Sequence, residues 1–230
     1  MYKYLRKIRS RIFTQKDEII SEDQYYEQLF VNNDKWNKSE PNEEELLRWN
    51  IIQSYVREFH KDSNLKILDL GCGRGWLTNL LSQFGVIIGI EPVLKVVNHA
   101  KRLFPNIDFR SCTSADLLEE YLNYFDLIVS SEVIEHIADL HKSQFVNDIN
   151  ALLKEDGFVI ITTPRKDVQE EWSSYLPAEQ PIEDWMFESE LEKLFTNNGF
   201  KSLKINRIPV KPSNNSPFID IYQVWMFQKI

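Results

Sequence analysis

Three side chains able to share a proton or an ion stand within five positions of one another: Glu132, Glu135 and His136. In a helix starting at Glu132 they would fall at i, i+3 and i+4, which puts Glu132 on the same face as the other two. Two chemical roles are open. An imidazole oriented by a carboxylate is a general base near neutral pH. Alternatively, the three together hold a divalent cation that lowers the pKa of an acceptor hydroxyl. A structural reading stands beside both: the acids occupy a first turn, where the helix dipole favours negative charge, and His136 packs at a sheet edge.

A second constellation lies upstream. The run Ile67-Leu68-Asp69-Leu70 enters Gly71-Cys72-Gly73-Arg74-Gly75, and a helical stretch begins near Trp76. Glycines in such a bend allow a tight turn and close approach of a ligand to the backbone. The helix behind presents unpaired N–H groups to carboxylate or hydroxyl oxygens. One strand later, Val86 to Ile90 ends in Glu91, twenty positions beyond Gly71. That spacing suits two adjacent parallel strands offering their C-terminal ends to one nucleoside, with the acid accepting both ribose hydroxyls. A dinucleotide fold prefers Gly-x-Gly-x-x-Gly, and Gly75 comes one residue too early for it.

The elements that must position these residues are readable as short apolar runs: 67–70, 86–90, 107–110, 125–130 and 158–163, with helical stretches that include 75–84, 93–103 and 140–153 between them. Alternation of this kind predicts an α/β fold, a doubly wound, Rossmann-like sheet of mostly parallel strands. Two final strands, 203–208 and 219–227, flank a polar turn and predict an antiparallel hairpin on one edge, seven strands in all. Residues 22–62 read as helices interrupted at 32–42, with Leu46, Leu47, Trp49, Ile51, Ile52, Tyr55, Val56 and Phe59 as one apolar cluster. Residues 165–187, with Trp172, Tyr175, Leu176, Pro177, Pro181, Trp185 and Phe187, read as a loop that covers something; Trp185 and Phe187 could equally plug the core. The expected division is an N-terminal helical cap, 1–62, and one domain, 63–230, with 165–187 as a lid insert.

Together with Phe125-Asp126-Leu127-Ile128-Val129-Ser130 and Leu152-Leu153-Lys154-Glu155-Asp156-Gly157, the glycine bend and strand-end acid resemble class I S-adenosylmethionine-dependent methyltransferases over roughly residues 45–230. That resemblance implies that Asp69 orients the loop near the methionine amino group. It places Gly71, Cys72 and Gly73 by the methionine portion, Glu91 with Pro92 at the ribose, Thr113 and Ser114 by the adenine, and the backbone at Ser130 and Ser131 by the methionine arm, where their hydroxyls could equally cap the next helix. Many relatives carry Asp where this chain has Thr113, and Asp116 is the available substitute. The Glu-x-x-Glu-His pattern is similar to that of ubiquinone-biosynthesis O-methyltransferases, with His136, Glu132 and Glu135 as catalytic residues. Small-RNA 2′-O-methyltransferases share it but need a later histidine, and here only His141 follows.

The expectation is therefore O-methylation of a small metabolite, natural product or sugar by S-adenosyl-L-methionine, with a divalent cation as an option. N- or carboxyl-methylation of a peptide or small molecule and a non-catalytic scaffold are the alternatives. A net charge of −8 disfavours nucleic acid as partner. Cys72 and Cys112 read as reduced thiols. No apolar run is long enough for a membrane span, which suggests a cytoplasmic protein. Lys3, Arg6, Lys7, Arg9, Arg11 and Lys16 precede the first acid at Asp17. With Leu5, Ile8 and Ile12 at helical spacing, residues 1–16 read as a basic helix packed on its own acidic domain or touching a membrane surface.

Overall fold

The computed structural model describes residues 12–15, 18–59, 64–176 and 181–230. Its centre is a seven-stranded sheet: β3 (Leu65–Leu70), β4 (Gly85–Ile90), β5 (Asp108–Arg110), β6 (Phe125–Ser131), β7 (Leu153–Pro164), β8 (Phe200–Val210) and β9 (Ile219–Lys229). The spatial order is β5-β4-β3-β6-β7-β9-β8. The first five are parallel; β9 runs antiparallel to β7 and pairs with β8 as a hairpin. The order reverses between β3 and β6, which is where a doubly wound sheet opens a crevice beyond its strand ends.

Side-chain alternation gives the sheet two buried faces. Ile67, Leu127, Val129, Ile160, Val224 and Met226 pack on one side under α2 (Glu43–Phe59) and α3 (Trp76–Leu81). Leu68, Leu70, Ile128, Ile161, Trp225 and Phe227 pack on the other against α5 (Ser114–Tyr121), α6 (Asp139–Leu152) and α7 (Glu188–Thr196). α4 (Leu94–Leu103) buries Val97 and Ala100 against Cys72 and Phe109. Strands buried on both faces read as continuous apolar runs, which is why they stand out in the sequence.

Before the sheet, β1 (Ile12–Gln15) and β2 (Glu18–Ser21) form a small hairpin, then α1 (Glu22–Glu27) runs into a π-helical turn, Gln28–Asn32. The basic helix expected over 1–16 is thus corrected at its end. Ile12, Phe13 and Thr14, opposite Ser21, Ile20 and Ile19, are strand formers and pair as such; residues 1–11 and 16–17 lie outside the described residues. On α2 the expected apolar face is also corrected: Leu46 and Leu47 are exposed, while Glu45 and Arg48 turn inward beside Trp49, Ile52, Tyr55 and Val56. β7 begins at Leu153, five residues ahead of the apolar run at 158. Both cysteines are free.

Candidate active site

The C-terminal ends of β3 to β7 and the first residues of β9 surround a cavity of about 1920 Å³. Pockets that hold one drug-sized molecule span about 300–1,000 Å³, so this one has room for two ligands. Asp69, Gly71, Cys72, Gly73, Glu91, Pro92, Thr113 and Ser114 all line it, as do Glu132, Glu135 and His136.

The glycine bend and the strand-end acid are direct neighbours. Gly71 and Cys72 both donate their N–H to the Ile90 carbonyl at 2.9 Å, which ties the bend to the end of β4. Glu91 Oε1 accepts the Val93 N–H at 3.0 Å. Burial pushes the Glu91 carboxyl up to about 7, opposed by backbone donors at Val93 and Gly73. Positive φ values at Gly71, Gly73 and Gly75, +80°, +50° and +86°, explain the residue type. Packing adds a second reason: a Cβ at Gly71 would lie 2.3 Å from Val133 Cγ2, and one at Gly75 2.5 Å from Phe109 Cζ. At Gly73 the nearest atom would be Phe30 Cζ, at 3.4 Å, leaving that backbone accessible. Asp69 is buried and accepts the Thr78 hydroxyl at 2.6 Å; desolvation raises its carboxyl to about 7 against that hydrogen bond.

Arg74, within the bend, has no motif to announce it. Its guanidinium is 1% exposed and grips both oxygens of Glu45 at 2.7 Å. Its remaining donors reach the carbonyls of Lys38 (2.7 Å) and Glu40 (3.2 Å). Asn42 and Glu45 bond reciprocally across the start of α2, at 2.8 and 2.9 Å. The bend is thereby fixed to the segment that roofs the cavity.

Past β5, the Thr113 N–H and hydroxyl both donate to Asp116 Oδ2, at 2.9 and 2.8 Å, so one Asp116 oxygen is spent on capping α5. Ser114 donates to the buried Asp148 at 2.8 Å. Ser130 departs from expectation. It is buried within β6, does not line the cavity, and its hydroxyl has no hydrogen-bond partner among the described residues. Ser131, pointing to the other face, lines the cavity in its place.

At the other end no α-helix starts at Glu132. The strand continues, since the Glu132 N–H pairs with the Thr162 carbonyl at 2.9 Å, and the chain then turns through a left-handed φ of +58°. A 3₁₀ turn covers Ile134–His136, and α6 waits until Asp139. The three residues nevertheless reach one cavity wall. Thr162 Oγ1 donates to Glu132 Oε1 at 2.7 Å and so receives the Ser131 hydroxyl at 2.8 Å. Thr163 Oγ1 donates to Glu135 Oε2 at 3.0 Å. Burial drives both carboxyls up to about 7, with Arg48 opposing it at each.

His136 Nδ1 lies 2.6 Å from the Ile182 carbonyl oxygen. A carbonyl only accepts, so Nδ1 carries the proton and Nε2 holds a lone pair. Burial lowers the imidazole pKa, which keeps the ring neutral near pH 7. Glu135 Oε1 is 3.8 Å from Nε2, and the Tyr26 ring stands edge-on to the imidazole at 6.1 Å. Among the described residues, no three His, Cys, Asp or Glu side chains are arranged to hold a metal ion; Glu132 and Glu135 are drawn to different threonines of β7.

The stretch after β7 docks on this turn through His136 and through Asp184, whose N–H meets the Glu135 carbonyl at 2.9 Å and whose carboxylate pairs with Lys142 at 2.6 Å. Trp172 and Trp185 line the cavity, Trp185 while also buried in the core; Phe187 is 38% exposed and plugs nothing. Pro177 lies outside the described residues. Tyr25, Tyr26 and Trp36 line the cavity from the N-terminal side.

Residues 42–205 match the methyltransferase-domain family, and the chain belongs to that family. It has the class I, Rossmann-like fold of S-adenosylmethionine-dependent methyltransferases. The mitochondrial ubiquinone biosynthesis O-methyltransferase of Bos taurus is 39% identical over 112 residues, covering 45% of this chain and 30% of that protein. The ubiquinone biosynthesis O-methyltransferase of Bartonella quintana is 27% identical over 191 residues, 71% of this chain and 76% of that one. Among solved structures, the 1,6-didemethyltoxoflavin-N1-methyltransferase of Burkholderia thailandensis, with S-adenosylhomocysteine bound, superposes with a TM-score of 0.63 at 17% identity, over 95% of this chain and 94% of that one. The chain thus spans only about 30% of the length of the mammalian relatives it matches. No helix of the described residues is long and apolar enough to cross a membrane.

Proposed function

We propose that this protein methylates a hydroxyl oxygen of a small organic acceptor, with His136 as general base. One observation carries the reading: the Nδ1 proton is committed to the Ile182 carbonyl, so the neutral ring presents Nε2 as a base in a cavity with space for two ligands. The similarity to ubiquinone-biosynthesis O-methyltransferases supports oxygen as the methylated atom.

The residues fit the cofactor. Glu91 is a buried carboxylate with its Oε1 on a backbone donor, suited to ribose hydroxyls, with Pro92 beside it. Gly71, Cys72 and Gly73 would border the methionine portion, supported from behind by Asp69, and Thr113 with Ser114 the adenine. An acid-rich lining also suits a cationic ligand. S-adenosylmethionine, when bound, supplies an electrophilic methyl group on a sulfonium. The chain's own residues align the acceptor and move one proton. Nε2 takes the hydroxyl proton while the O–H bonding pair stays on oxygen, and Glu135, 3.8 Å away, stabilises the imidazolium that forms. Residues from 22–59, with Trp172 and Trp185, roof the site and exclude water.

The test is release of S-adenosylhomocysteine with a panel of phenolic and alcoholic acceptors, with the product identified by mass spectrometry. Methylation confined to nitrogen or carboxylate groups, or full activity in His136→Asn, defeats the reading.

A further inference from the structure

One side chain serves both ends of the cavity. Tyr26, on α1, lines it, with its ring edge-on to the His136 imidazole at 6.1 Å. The hydroxyl points elsewhere. Burial first, and then the carboxylates of Glu22, Glu91 and Glu135, push it well above the usual tyrosine pKa, which sets it among those three acids. The ring therefore spans from the base to the strand-end acid of β4. Four residues on, Phe30 lies nearly parallel to it, ring centroids 6.2 Å apart, and covers Gly73, where a Cβ would stand 3.4 Å from Phe30 Cζ. Two aromatic rings thus roof the space bounded by His136, Glu91 and the glycine bend.

We propose that the Tyr26 ring recognises the positive charge of the methyl donor's sulfonium. In the function proposed above, the ribose lies at Glu91, the methionine portion at Gly71 to Gly73 and the methyl group toward His136 Nε2, so the sulfur falls in the space those three define. A sulfonium has no N–H to donate. Aromatic faces and carboxylates are what can hold it, and a ring attracts a cation within about 6 Å most strongly where water is excluded. Transfer leaves the C–S bonding pair on sulfur, and the resulting thioether is neutral, so the attraction ends with the reaction. The attachment of the cap suits such a sensor. α1 is tied to α4 through Lys95 and Glu27 at 2.7 Å, with Lys95 largely in solvent. From Asn37 onward the chain is anchored more deeply, its carbonyls at Asn37, Lys38 and Glu40 meeting His99 (2.8 Å) and the buried Arg74 (2.7 and 3.2 Å). Residues 22–32 accordingly close over the charged donor and loosen over the spent product, while the segment after Asn37 stays in place.

This inference rests on the proposed function, and the experiment keeps the two apart. Titration calorimetry on the full chain would measure S-adenosylmethionine and S-adenosylhomocysteine binding to the unmodified protein, Tyr26→Phe and Tyr26→Leu. The affinity ratio of charged to neutral ligand should fall about tenfold in Tyr26→Leu and stay within twofold in Tyr26→Phe, which keeps the ring. Hydrogen exchange on the unmodified protein should find residues 22–32 better protected by S-adenosylmethionine than by S-adenosylhomocysteine, and residues 37–45 protected equally by both. An unchanged ratio in Tyr26→Leu overturns the proposal, and so does a tenfold fall in Tyr26→Phe, because the hydroxyl and not the ring then senses the charge. Equal protection of 22–32 by the two ligands overturns it from the unmodified protein alone, whether or not Tyr26→Leu folds. If neither ligand binds the unmodified protein, it is the proposed function that fails.

Discussion

At the two ends of the cavity the polar contacts have different origins. Around the glycine bend Glu91 reaches Val93, two residues on, and Thr113 reaches Asp116, three on. Around His136 the partners come from afar: Thr162 meets Glu132 across 30 residues, Ile182 meets His136 across 46, and Tyr222 meets Glu44 across 178. The first end combines this local backbone geometry with longer ties, Arg74 to Glu45 across 29 residues and Ser114 to Asp148 across 34, whereas the polar contacts of the second come from tertiary packing. A locally built site tolerates change in distant loops, while one assembled across the sheet can be retuned by any of its contributors. In the proposed function, the second end is the one that selects the acceptor, in a fold that serves many reactions.

The sharpest way to break the contrast is to remove one group from each end. His136→Asn should lower kcat by about 10²–10⁴-fold, the usual range for a general base, and leave S-adenosylmethionine affinity within twofold by calorimetry. A parallel loss of cofactor affinity would mean that the ends are not separable. Arg74→Met is expected to cost about 3–5 kcal/mol of stability, because it strands Glu45 as a buried, unpaired carboxylate. For a chain of this size that is a fall in Tm of roughly 10 °C. A change under about 2 °C in a thermal melt would show that the bidentate contact holds nothing together. Glu91→Gln keeps the shape but forfeits the charge-assisted acceptance of hydroxyls. Cofactor affinity should drop about 100-fold while the melting curve without ligand stays put or moves up.

The same contrast governs what the sequence discloses. Asp69, the 71–75 bend and Glu91 are legible because strand, turn and acid follow one another within a single βαβ unit. The five parallel strands are legible because burial on both faces leaves unbroken apolar runs. Glu132, Glu135 and His136 are legible as residue types but not as geometry. Helical spacing groups them, whereas the protein brings them together through a left-handed turn and two threonines of β7. Arg48 is hidden by its neighbours, since Leu46 and Leu47 advertise an apolar face that in fact points to solvent. Arg74 could have been suspected from Asn42-x-x-Glu45, a capping pattern that brings a carboxylate inward, though nothing local names its partner. Ser130 and Ser131 show the period-2 rule at work: of two adjacent hydroxyls one faces the interior and the other the cavity.

The smallest expected effect is shared by both ends and concerns pH. Asp69, Glu91, Glu132 and Glu135 all have carboxyls pushed up to about 7 in the folded protein, above their ordinary values near 4. Between about pH 4.5 and 7 the folded chain therefore holds more protons than the unfolded one, and its stability falls as pH rises. Below that window both states are protonated and the contribution is fully present; well above 7 it is lost and the curve flattens. Without ligand, Tm should drop by about 2–4 °C for each kcal/mol lost between pH 6 and pH 8. Glu91→Gln and Glu132→Gln should each flatten part of that slope, one from either end. Saturating S-adenosylhomocysteine, if its hydroxyls engage an ionised Glu91, should remove only the Glu91 share. A slope of opposite sign, or one that the ligand removes entirely, would show that the carboxyls at the far end are solvated and that the two ends do not differ in the way described.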